Sequence, residues 1–339
     1  MMKYHESYFD EYLHTASAPG RNMHPKSEMD HPPAPSLRSC PHMLFYGPEG
    51  VGKYTQALLR IQKYSPSRLK YEKKLNVTFN KETYLFKISD IHYEIDMGLL
   101  GCNSKCLWHE IYTQITDIVA STVKKVDSPT AGMGIVLCKN MHEIHSELLD
   151  NFYSYLQPNH PAASQRLVFF LLSKDISFLP DNVVHACEVL SFPRPSRQMY
   201  RACLGRRLQN HLLLATPERI QNIKKLYAPA EETFPQQQQQ HEMICRNILT
   251  LLEQPLESFS YTRLRDTMYD MLIYNLDIPE CMWFVMREMG KSGNRMERRE
   301  LMRRAYEFFR YFNNNYRPIY HLERFFLTGY RDAGVTIQV

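Results

Sequence analysis

The chain has 339 residues, 44% hydrophobic and 23% charged, with 41 Lys and Arg against 36 Asp and Glu. That length and apolar content are enough for two or three folded domains, and a net charge of +5 permits contact with nucleic acid or other anions without demanding it. No apolar run approaches the roughly 18 residues of a membrane span, no basic-then-apolar leader opens the chain, and the eight scattered cysteines lack the density of a disulfide scaffold, so a soluble intracellular protein with reduced thiols is expected.

In chain order, residues 1–38 are expected to form a flexible segment. Residues 14 to 38 hold Pro19, Pro25, Pro32, Pro33 and Pro35 and no periodic apolar pattern able to build a core. Met43-Leu44-Phe45-Tyr46 reads as a buried strand, and a helix is expected from Tyr54 through Ile61. Between them lies Gly47-Pro48-Glu49-Gly50-Val51-Gly52-Lys53, the spacing of a phosphate-binding loop. Glycines let the backbone curl so that N–H groups converge on a polyphosphate, the helix presents its positive end, and the lysine ammonium reaches the outer phosphates. Gly47, Pro48, Glu49, Gly50, Val51, Gly52, Lys53, Tyr54 and Thr55 are therefore the candidate nucleotide-binding residues. The pattern calls for Ser or Thr directly after the lysine, to ligate magnesium. Here that place holds Tyr54, with Thr55 one position late, so magnesium is doubtful and binding is better supported than catalysis.

Further strands are expected over Thr83 to Ser89, His92 to Asp96, Ile135 to Cys138 and Leu167 to Leu172, with helices from Lys105 through Val123 and from Ser146 through Leu156. The alternation predicts a parallel sheet wrapped by helices, with ligands beyond the carboxyl ends of its strands. Beyond Pro193 the strands stop. Residues 196 to 228 read as a small basic helical segment, Gln236 to Gln240 as a low-complexity spacer, and the chain from His241 as helical. One apolar stripe runs through Leu264, Met268, Met271, Leu272 and Leu276, another through Leu301, Ala305, Phe308, Phe309 and Phe312. The expected domains are 39–193 (phosphate-loop sheet), 194–235 (helical lid) and 236–339 (helical bundle).

Other clusters carry less. Cys102, Cys106 and His109, with His92, match no familiar zinc template, and small residues at a loop-to-helix junction are the preferred reading, so no metal site is assigned. His142, His145 and His185 form no triad and read as surface or capping residues, so no catalytic residue is assigned. Arg197, Arg201, Arg206 and Arg207 could face phosphates or solvent equally well. For Arg295, Arg299 and Arg303, diluted by Glu297 and Glu300, a solvated helix face is preferred.

Four passages together resemble the AAA+ clamp loaders, specifically the small subunits of replication factor C. Cys40-Pro41-His42-Met43-Leu44-Phe45-Tyr46-Gly47-Pro48 is similar to that family's approach to its phosphate loop, and Lys53-Tyr54-Thr55 to a variant in which a non-hydroxyl residue and then Thr follow the lysine. Ser89-Asp90-Ile91-His92-Tyr93-Glu94-Ile95-Asp96 looks like its second sheet strand, with Glu110 in the following helix. Pro318-Ile319-Tyr320-His321-Leu322-Glu323-Arg324-Phe325 is very similar to a string in its last collar helix. The likeness covers roughly residues 40 to 330, thinning between 194 and 240. It implies an α/β AAA+ P-loop domain with a short helical lid and an all-α collar.

The resemblance also implies what the chain lacks. Lys139 and Asn140 stand where the family carries its paired acids, and a lysine repels the metal while an asparagine cannot act as a base. Glu143 is spaced wrongly to replace them. Leu172-Ser173 replaces the sensor asparagine, and His185-Ala186-Cys187 replaces the segment bearing the arginine finger, with Arg194 at the wrong spacing. Tyr8-Phe9-Asp10-Glu11-Tyr12-Leu13-His14 is a faint echo of the adenine-pocket residues. The expectation is a clamp-loader subunit acting in DNA replication that binds ATP or ADP without hydrolysing it, in the nucleus or at a replication site. Its expected partners are other subunits of a hetero-oligomeric ring, a sliding clamp and primer-template DNA held by backbone contacts, with no membrane. The alternatives are an active AAA+ ATPase of DNA repair or remodelling, and a decayed scaffold that no longer binds nucleotide.

Overall fold

A computed structural model describes residues 8–16, 22–25, 27, 31–101, 103–123, 130–157, 166–203, 234–255, 257–274, 276–292, 295–312 and 317–332. The chain divides into two compact units, 1–227 and 228–339.

The first unit is built on seven strands: β1 (His42–Tyr46), β2 (Lys73–Phe79), β3 (Glu82–Ile88), β4 (His92–Asp96), β5 (Met133–Lys139), β6 (Arg166–Ser173) and β7 (Cys187–Ser191). Their order is β2-β3-β4-β5-β6-β1-β7. The five from β4 to β7 are parallel, whereas β2 and β3 pair antiparallel, as do β3 and β4. The expectation of a parallel sheet is thus corrected to a mixed, mostly parallel one. The addition is a hairpin turning through Asn80 and Lys81, both left-handed at φ 50° and 68°. A two-residue left-handed turn matches the twist of paired strands, but it is usually written with glycine in second place, and Lys81 hides it.

Alternation along the central strands sends side chains to both faces, and both are covered. Met43, Phe45, Leu137, Val168 and Phe170 pack with Ala57, Leu58 and Ile61 of α2 (Lys53–Tyr64). Leu44, Val136, Phe169 and Leu171 pack with Trp108, Ile111 and Ile115 of α3 (Ser104–Val123) and with Leu148 and Phe152 of α4 (Ser146–Leu156). The two short helices α5 (Asp181–His185) and α6 (Arg197–Cys203) flank β7 in the chain.

The flexible N-terminal segment also needs correction. Phe9 and Leu13, spaced to share a face of α1 (Phe9–Ala16), are buried in the α2-side core, as are Leu37 and Cys40. Farther on, carbonyls of the proline-rich stretch accept from α2 side chains: Arg60 donates to His31 O at 2.7 Å and Tyr64 to Ala34 O at 3.1 Å. Side-chain hydrogen bonds take the place of regular structure here, which periodicity cannot reveal. Arg206, Arg207 and most of the expected lid lie outside the described residues.

In the second unit the described residues form α7 (Phe234–Leu252), α8 (Tyr261–Ile273), α9 (Ile278–Ser292), α10 (Arg295–Phe312) and α11 (Pro318–Asp332). The glutamines at 236–240 are the first turns of α7 rather than a spacer, because Gln is a good helix former and Pro235 sits where the missing N–H costs nothing. Leu264, Met268, Met271, Ala305, Phe308 and Phe309 are buried, with Leu272, Leu276, Leu301 and Phe312 packed against them. In α11, Ile319, Leu322, Phe325 and Phe326 join that core, and Glu323 Oε1 lies 2.9 Å from Arg265 Nε. Arg303 is ion-paired with Glu300 and Glu307 on the surface of α10, as a solvated face requires. Among the described residues no helix is long and apolar enough to cross a membrane.

Candidate functional site

The site is built on β1, which lies parallel between β6 and the edge strand β7, with Tyr46 level with Ser173 on one side and Ser191 on the other. A loop leaving the carboxyl end of such a strand opens above the sheet, where ligands of α/β folds bind. Residues 47–52 form that loop and α2 begins at Lys53. Gly47 has φ 153°, and a Cβ there would stand 2.1 Å from Phe192 O, so only glycine lets the chain pass. Its N–H donates to Ser173 O at 3.3 Å, and Phe192 N–H donates to Tyr46 O at 2.7 Å, so the Tyr46–Gly47 peptide is held from both neighbouring strands where the loop begins. Gly52, left-handed at φ 96°, precedes the first helical residue and aims the N-terminal amides of α2 toward the loop.

Lys53 Nζ donates to Pro48 O at 2.7 Å and to Gly47 O, so the ammonium is folded over the loop's own carbonyls. Burial pushes its pKa down to about 8, Glu49 and Asp175 oppose that shift, and Lys174 adds to it. His142, just after β5, is buried, and neither ring nitrogen has a hydrogen-bond partner among the described residues. Burial, then the charges of Lys174 and Lys53, press its pKa down to about 3, so the imidazole is neutral. Around the loop thus stand backbone amides, an ammonium turned onto the loop's own carbonyls and a buried neutral imidazole.

A magnesium ion would need the hydroxyl after Lys53 and a carboxylate at the end of β5, and the residues present do not fit it. Tyr54 Oη donates to Glu94 Oε1 at 2.6 Å, and the Tyr54 hydroxyl is held protonated by burial and by that carboxylate. At the end of β5 stands Lys139, whose Nζ lies 3.3 Å from Glu94 Oε2. Glu94 itself is on β4, level with Leu137, and its side chain is 1% exposed. Burial opposes its ionisation, but His92, Lys139 and Tyr54 outweigh that and hold its carboxyl below the usual range. His92 Nε2 is 3.6 Å away, beyond hydrogen-bond length. Asn140 is likewise turned to β4, donating to both oxygens of Asp96 at 3.0 and 3.1 Å. A neutral amide facing a carboxylate leaves no base at that position.

The structure brings some predicted residues together and separates others. Thr55 Oγ1 is 2.8 Å from Tyr12 Oη of α1, and Val51 O is 2.9 Å from His24 Nε2, so the N-terminal segment braces the loop from outside. Glu49 and Gly50 sit at the loop's outer turn, and Glu49 is exposed. Glu143 is exposed, its carboxylate lying against Gly98. Ser173 is fully buried and donates to Asp175 O. Ala186 lies between α5 and β7, and Arg197 and Arg201 are exposed on α6. Cys106 and His109 are exposed on α3 while His92 is wholly buried, and no group of three His, Cys, Asp or Glu among the described residues could hold a metal; Cys102 lies outside them. Sequence reasoning missed Glu94, Tyr12, His24 and the role of His142. For Glu94 one signal was there to read: a carboxylate between Tyr93 and Ile95 in the middle of a strand, His92 to Asp96, that must find a partner once buried. No family model matches the sequence, and no curated protein matches it.

Proposed function

We propose that this chain is a nucleotide-binding, non-hydrolysing subunit of an AAA+ ring of the clamp-loader kind, acting in DNA replication. One contrast carries the reading. Lys53 and the loop amides lie beyond the carboxyl end of β1, an interior parallel strand, where a phosphate would be held, while Lys139 and Asn140 stand where a carboxylate pair would have to control metal and water. The nucleotide, ATP or ADP, would be held by the loop amides after Pro48, from Glu49 to Lys53, and by the Lys53 ammonium, which must leave the carbonyls of Gly47 and Pro48 to reach it. The helical unit buries Ile319 and Leu322 of the Ile319-Tyr320-His321-Leu322-Glu323 string in its own core and leaves Ile273, Trp283, Met302, Tyr306 and Tyr311 exposed, and these are the residues through which a collar role would hold the ring together without nucleotide.

Affinity purification of the full chain with mass spectrometry tests this. Recovery of clamp-loader subunits and a ring-shaped clamp is expected, from full-length and Lys53→Ala forms alike. The recovery should be lost when residues 241–339 are deleted, and a complex that persists without them contradicts the collar role.

A further inference from the structure

Where a phosphate loop works with magnesium, the metal is held from two sides, by a hydroxyl beside the loop lysine and by a carboxylate at a neighbouring strand end. In this chain both places belong to one internal cluster. Tyr54 Oη is committed to Glu94 Oε1 at 2.6 Å, and Lys139 Nζ to Glu94 Oε2 at 3.3 Å. The two poles of that ion pair are unequal: the Glu94 side chain is 1% exposed and that of Lys139 is 32% exposed. The solvent-facing pole is therefore positive. A dication brought to it meets a like charge and finds the buried carboxylate already taken. A polyanion meets attraction.

His142 supplies an independent observation. It is 8% exposed, its two ring nitrogens have no hydrogen-bond partner among the described residues, and Glu143 Oε1 stands 3.7 Å from Nε2, too far for a hydrogen bond. A buried imidazole N–H without a partner is costly to fold around, and a ligand oxygen would remove that cost. His142 follows β5 directly, at the same carboxyl end of the parallel strands from which the loop leaves β1, with only β6 between the two; the charges of Lys53 and Lys174 are both felt at the ring.

We propose that the loop takes its nucleotide as the metal-free polyanion, with Lys53 and Lys139 supplying the cationic charge and neutral His142 donating its N–H to a phosphate oxygen. This rests on the nucleotide-binding reading above. Magnesium then competes with the protein for the same phosphate oxygens instead of bridging them to it.

The test is a titration of the full-length chain, stripped of bound nucleotide, with a ribose-labelled fluorescent ATP, once in excess magnesium and once in EDTA. Affinity in EDTA is expected to equal or exceed that in magnesium, and His142→Phe is expected to weaken the EDTA value by about tenfold. A loss of about tenfold or more on adding EDTA to the wild type overturns the metal-free mode while leaving nucleotide binding standing. An unchanged affinity in a folded His142→Phe variant overturns the part assigned to the imidazole. Absence of binding in both conditions overturns this inference and the nucleotide reading together.

Discussion

The ends of β1 and β5, separated in the sheet only by β6, differ in what carries their chemistry. At β1 the features that suit a phosphate are mostly backbone: a turn only glycine can make at position 47, a left-handed Gly52, and the first amides of α2. At β5 the features that would suit a metal and an attacking water are side chains, and Lys139 and Asn140 have turned instead to Glu94 and Asp96 on β4. Charge at the β5 end is balanced internally, so the sheet keeps its fold without an external cation. On the proposed reading, affinity for an anion rests on backbone geometry, whereas hydrolysis would need side chains that Lys139 and Asn140 do not supply.

The sharpest way to break this comparison is to remove the carboxylate that balances β5. Glu94→Ala strips the partner from the buried Tyr54 hydroxyl and from Lys139, whose ammonium can turn to solvent, and should cost about 2–3 kcal/mol of stability in the first unit, the range for a lost hydrogen bond to a charged group. Asp96→Ala, in a more open position, should cost about 1 kcal/mol. The chain has two tryptophans, Trp108 in the first unit and Trp283 in the second, so urea unfolding followed by fluorescence in a Trp283→Phe background reports on the first unit alone. Equal losses from the two substitutions would mean that burial does not distinguish the two carboxylates.

Gly47→Ala probes the β1 end in the same assay. The new methyl would meet Phe192 O at 2.1 Å, and both the clash and the φ of 153° oppose it, so a loss of about 2–3 kcal/mol is expected. A tolerated alanine would show that the loop has another path past β7.

A smaller effect, graded with pH, comes from His142. Its folded pKa of about 3 lies below the ordinary 6.5, so below pH 6.5 the unfolded chain takes up a proton that the folded chain refuses, and stability falls as pH falls. Glu94 contributes in the same direction, but only as pH drops into the carboxylate range, because its stabilisation is present above the unfolded value and lost through the lower folded one. Between pH 6.5 and 5 the wild type should therefore lose about 1.5 kcal/mol more than His142→Phe, and parallel curves would contradict a buried neutral imidazole.

The strand, glycine turn and helix around the candidate site at β1 were legible because the pattern is local: strand, glycine spacing, lysine and helix lie within about twenty consecutive residues. The main strands were legible because burial on both faces makes them continuously apolar, as in Leu167 to Leu172. What escaped was short or non-local. β7 buries only Leu190 along its length, and β2 alternates Leu75, Val77 and Phe79 with polar residues but opens with Lys73 and Lys74 and ends in a turn without glycine. The Tyr54-Glu94-Lys139 cluster joins α2, β4 and β5, and only the register that sets Glu94 beside Leu137 and Asp96 beside Lys139 brings it together. Spacing along one strand cannot disclose a charge balanced from the next.

The claim that binding and hydrolysis have been separated is tested most directly by measuring both on one preparation, wild type against Lys53→Ala. The account predicts saturable adenine-nucleotide binding that the variant weakens by at least about tenfold, the order expected for a charge-assisted contact, with turnover in the wild type far below about one per second. Turnover near that rate and abolished by Lys53→Ala, or equal nucleotide affinity in the two proteins, would contradict it.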